Sequence, residues 1–149
     1  MFIAHEIREN VDIEDVDAFI TLDYEGRFLR RKMLRTDEGE VFLVELSETA
    51  SLSSEDGLLL NDGRLIGILP KPEKLFKVRH DNLARIAWHI GNRHTPCQME
   101  DDFLLIKEDH VIEKMLQALN CTLERLTLPF TPEGGAYGHG RTLGHSHSH

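Results

Sequence analysis

Leu75-Phe76-Lys77-Val78-Arg79-His80-Asp81-Asn82-Leu83-Ala84-Arg85-Ile86-Ala87-Trp88-His89-Ile90-Gly91 contains a change of period. From Leu75 to His80 the residues alternate. Phe76, Val78 and His80 fall on one side, Lys77 and Arg79 on the other, which predicts a strand. After Asp81, a candidate N-cap, Leu83, Ile86, Ala87 and Ile90 recur at i, i+3, i+4 and i+7, the apolar stripe of a helix. Gly91 fits a left-handed helix stop.

The same grammar repeats downstream. Cys97–Glu100 and Phe103–Lys107 are strand candidates. Asp109 can cap a second helix, along which Ile112, Met115, Leu116 and Leu119 repeat the spacing. Asn120 can end it, and Thr122–Leu128 is a last strand before Pro129. The order is β-α-β-β-α-β, the ferredoxin-like split arrangement.

Upstream, the pattern is all β. Strands are expected at Ala18–Tyr24, Phe28–Arg35, Val41–Leu46, Leu58–Leu60 and Arg64–Leu69. Asn61-Asp62-Gly63 marks a hairpin, because glycine accepts positive φ. Such short strands suggest a small sandwich or barrel. Pro70-Lys71-Pro72-Glu73 reads as a linker. The fold class expected is therefore α+β: an all-β domain over 1–70, then a ferredoxin-like domain over 71–149, with a mobile, His-containing tail from about residue 130.

Charge separates the same two parts. Residues 1–70 carry 16 acidic and 7 basic side chains, residues 71–149 ten of each, giving the chain a net charge of −9. That balance argues against a nucleic-acid partner. The absence of a long apolar run argues against a membrane span. The start, Met1-Phe2-Ile3-Ala4-His5-Glu6, lacks the pattern of an export signal. A cytoplasmic protein with Cys97 and Cys121 reduced is expected. Eight of the nine histidines lie after residue 70.

Imidazole is the commonest metal-binding side chain, so the histidines are the candidates for chemistry. His145, His147 and His149 alternate with serine at the C-terminus, where extended backbone puts them on one side. They suit nickel, copper or zinc. An uninterrupted purification tag would not be spaced by serine. His94, just past the first helix stop, is by itself more often a surface histidine than a ligand. On a two-fold axis it would occur twice and, with tail histidines, could hold one ion. His110 begins the second helix and by position faces solvent. His89 and His80 read as packing residues. No phosphate-binding loop, nucleophile elbow or H-E-x-x-H motif is present, and His94 with Cys97 lacks a third, orienting group.

Three segments in order resemble the UreE family of urease accessory proteins: Trp88-His89-Ile90-Gly91-Asn92-Arg93-His94, Asp109-His110-Val111-Ile112-Glu113-Lys114-Met115-Leu116, and Pro129 to His139. The resemblance implies a homodimeric nickel metallochaperone, not an enzyme. Such a protein delivers Ni(II) to the urease apoprotein complex together with an accessory GTPase. It implies a first domain similar to the peptide-binding domain of Hsp40-type chaperones, and a second domain that dimerises. It implies His94 as the central ligand from both protomers, completed by tail histidines (His139, His145, His147, His149). His110 would belong to a peripheral site found in some members. Zn(II) or Cu(II) would compete, and Cys97 near His94 leaves a softer metal preference open. The alternative reading is a peptide-binding assembly factor whose His tail buffers zinc or nickel.

Overall fold

The computed structural model describes residues 1–134. The chain passes from one compact unit to a second between Lys71 and Pro72. Both prolines of the expected linker belong to strands. Pro70 ends a strand and pairs with Leu22, while Pro72 begins one and pairs with Pro129, leaving Lys71 alone between them. Pro72 is tolerated as a strand's first residue, and Pro70 as a strand's last, beyond Gly67, where pairing with the preceding hairpin strand ends.

The first unit is one six-stranded sheet of β1 (Ile3–Arg8), β2 (Ala18–Leu22), β3 (Phe28–Arg35), β4 (Val41–Ser51), β5 (Gly57–Leu60) and β6 (Leu65–Pro70). Its order is β2-β6-β5-β1-β4-β3. β1 runs parallel to β4, and β2 parallel to β6. The hairpin at Asn61-Asp62-Gly63 forms as expected, with Gly63 at φ +94°. Curling brings the turn after β3 onto the opposite edge strand. The Asp37 N–H donates to the Phe19 carbonyl (2.8 Å), and the Asp37 carboxylate accepts from the Thr21 N–H (3.0 Å) and hydroxyl (2.7 Å). One sheet thus curls towards a barrel instead of two sheets stacking. Phe42, Val44, Leu58 and Ile66 fill its concave side.

The second unit contains β7 (Pro72–Arg79), α1 (Leu83–Asn92), β8 (Gln98–Met99), β9 (Leu104–Lys107), α2 (His110–Ala118) and β10 (Thr122–Pro129). Its sheet order is β10-β7-β9-β8, all neighbours antiparallel. This is the expected ferredoxin-like order. Ile86 and Ile90 of α1 and Ile112 and Leu116 of α2 pack on Phe76, Val78, Leu104 and Ile106. Each buried aliphatic side chain contributes about 1.5–3 kcal/mol, so these contacts outweigh helix propensity in fixing both helices.

Two details of α1 differ from expectation. Its N-cap is Asn82, not Asp81: the Asn82 side chain accepts the Arg85 N–H at 3.1 Å. Its left-handed stop is His94, φ +59°, and not Gly91, which stays within the helix. No helix among the described residues is long and apolar enough to cross a membrane.

Candidate metal centre

Both helices of the second unit end by the same device. After α1, the His94 N–H donates to the Gly91 carbonyl (2.9 Å) and the Thr95 N–H to the Ile90 carbonyl (3.3 Å). After α2, the Asn120 N–H donates to Gln117 (3.0 Å) and the Cys121 N–H to Leu116 (3.0 Å). This is the Schellman pattern, whose left-handed residue is usually glycine or asparagine. Asn120, φ +63°, follows that preference; His94 does not. A non-glycine residue held left-handed costs of order 1 kcal/mol and points to a functional demand. The motif lifts the exposed His94 imidazole off the end of α1.

The strand registers place several candidates at one end of this unit. β7 starts where β9 and β10 finish, since Leu75 pairs with Lys107 and Pro72 with Pro129. α1 returns from the far end of β7, and α2 leaves from the near end of β9. The close of α1 with His94, the start of α2 with His110 and the end of β10 therefore share that end. His80 lies at the other. Its Nδ1 accepts the Asn82 N–H (2.9 Å), so Nε2 carries the proton and donates to the Leu119 carbonyl (3.1 Å). This ring ties the start of α1 to the finish of α2 and is structural. His89 is half-buried, edge-on to Trp88.

The chain does not leave the fold at residue 130. Phe130 is fully buried. Beyond it, the Thr131 N–H donates to the Gln98 side-chain oxygen (2.9 Å) and the Glu133 N–H to the Cys97 carbonyl (2.8 Å). β10 and β8 are opposite edges of the sheet, so residues 130–133 cross from one to the other. Three strand steps are about 14 Å, and four residues of extended chain cover that distance. Helices occupy one face, so this strap crosses the other, where alternation puts the buried Leu75 and Leu105. A buried aromatic outweighs the local proline and glycine content that suggested a free tail. The strap brings the chain leading to His139, His145, His147 and His149 to within three residues of His94 along β8's lead-in. Those four histidines lie outside the described residues.

His110 is exposed and lines a cleft with Phe76, Glu108, Glu113 and Arg125. The Arg125 guanidinium engages Glu108 (2.9 Å) and Glu113 (3.4 Å), and Asp109 caps α2 by accepting from Val111 and Ile112. The acids around His110 are thus already committed to these bonds. Among the described residues, no three His, Cys, Asp or Glu side chains gather to hold a metal ion. An ion at His94 needs ligands from beyond them. Burial, then the charge of Glu133, pushes the Cys97 thiol up to about 11. The Gln98 and Glu133 contacts were not foreseen from sequence. Their one signal was an aromatic, Phe130, between two prolines.

Residues 4–69 match the family described as UreE urease accessory protein, N-terminal domain, and residues 73–149 its C-terminal domain. A protein of Ruegeria pomeroyi named urease accessory protein UreE is 52% identical over 144 residues, 97% of each chain. One of the same name from Cereibacter sphaeroides is 56% identical over 128 residues, 86% of this chain and 70% of its own. A third, from Rhizobium etli, is 43% identical over 133 residues, 87% and 64%. Two family matches in tandem and near-complete alignment to the first of these relatives leave one conclusion: the chain belongs to the UreE family of urease accessory proteins, which serve urease maturation and are not enzymes.

Proposed function

We propose that the protein is a cytoplasmic nickel carrier that loads apo-urease, acting with the urease accessory GTPase. The observation that supports this is the pairing of His94 with the strap: an imidazole in a costly left-handed position beside the anchored root of a histidine-bearing tail. One His94 is one ligand, and Ni(II) commonly takes four to six. A two-fold dimer supplies a second His94, and tail histidines from both protomers supply the rest. Trp88, 63% exposed on the same helix, offers an apolar surface for that dimer. Ligands lent by the tail to a fixed pair would hold the ion and still release it. Zn(II) and Cu(II) compete for imidazole. His110 stands apart as a weak peripheral ligand.

The test is a nickel titration by calorimetry beside light-scattering mass. His94→Ala should abolish the tight site, one ion per dimer, and leave the dimer intact. Tight binding that survives His94→Ala, or a monomeric metal-free parent, would overturn the shared site.

A further inference from the structure

Gln98 makes two bonds with one amide. Its oxygen accepts the Thr131 N–H (2.9 Å), and its nitrogen donates to the Glu100 carboxylate (2.8 Å). The second bond fixes the orientation of the amide and so aims the oxygen at the strap. Next to it, the Cys97 carbonyl accepts the Glu133 N–H. We propose that Gln98 is a positioning residue: it latches the strap to β8 so that the tail is released beside His94 and not from the far edge of the sheet. The proposal rests on the nickel-carrier reading, because it presumes that tail histidines join His94.

The latch acts through tether length. From Glu133 to His139 is six residues; from Pro129, where an unlatched chain would depart, it is ten. Effective concentration falls roughly as the −3/2 power of tether length, about twofold here, and the origin also moves to the opposite edge. Loss of the latch should therefore weaken nickel binding about two- to threefold, with no ligand removed.

The test compares Gln98→Met, which keeps length and loses both bonds, with the double variant Gln98→Glu/Glu100→Gln. The double variant exchanges donor and acceptor between the two side chains and preserves the Thr131 contact. Each is made in the full chain and in one ending at residue 138. Amide exchange at Thr131 and Glu133 and nickel affinity are the readouts. Gln98→Met should speed exchange at both amides and weaken nickel two- to threefold in the full chain but not in the shortened one. The double variant should restore both. Unchanged exchange in Gln98→Met would refute the latch. Faster exchange with unchanged affinity would refute its positioning role. Equal weakening in both chain lengths would show that Gln98 acts only through the fold. If shortening the parent chain leaves nickel affinity intact, the carrier reading's tail ligands fail first, and the positioning role with them.

Discussion

His94, the proposed nickel ligand, stands where the backbone asks for glycine. His94→Gly should therefore separate stability from function: the metal-free protein gains up to about 1 kcal/mol in urea unfolding, while the tight nickel site is lost. His94→Ala loses the site without that gain. The identity of the candidate was legible in sequence, since a histidine past a helix stop is visible. Its strain was not, because the helix ran one residue beyond Gly91 and the left-handed stop fell on His94 itself. Cys97 gives a second test. Its thiol, ordinarily near 9.0, is raised to about 11. Any stability tied to the buried thiol is fully present below pH 9 and is lost as pH rises through about 11. Alkylation in the folded protein should be slow at pH 8 and accelerate towards that value. Rapid alkylation at pH 8 would contradict the burial.

The helices were legible as elements, since each has a strict apolar stripe. Their caps were legible only in part. Asp109 caps α2 as the sequence predicts, but Asn82 displaced its neighbour Asp81 at α1, one residue being beyond what pattern resolves. Asp109→Ala and Asn82→Ala should each cost about 1 kcal/mol in thermal unfolding, and Asp81→Ala almost nothing. If Asp81→Ala is the costlier of the two at α1, the cap is misassigned. Among the strands, β1 went unread although it lies mid-sheet. A register shift between Ala4 and Glu6 breaks its alternation, and polar side chains stand at His5, Glu6 and Arg8. β8 is only two residues long, because the strap and not a longer ladder completes that edge.

For the whole molecule, nickel affinity should fall as pH drops below about 6.5, because only neutral imidazole ligates. Binding that is equal at pH 5 and 7.5 would exclude histidine as the ligand. Removing residues 144–149 should weaken nickel binding without abolishing it, since His139 and the His94 pair remain; calorimetry reads both. A cut further back has a different consequence, one of colloidal behaviour. The strap bonds to the backbone of β8's lead-in at Cys97 and crosses the face that holds the buried Leu75 and Leu105. A chain ending at Pro129 would expose both a sheet edge and an apolar face, the two features that template association between copies. Trimming the tip of the chain should cost affinity alone, whereas removing the four residues of the strap should cost solubility.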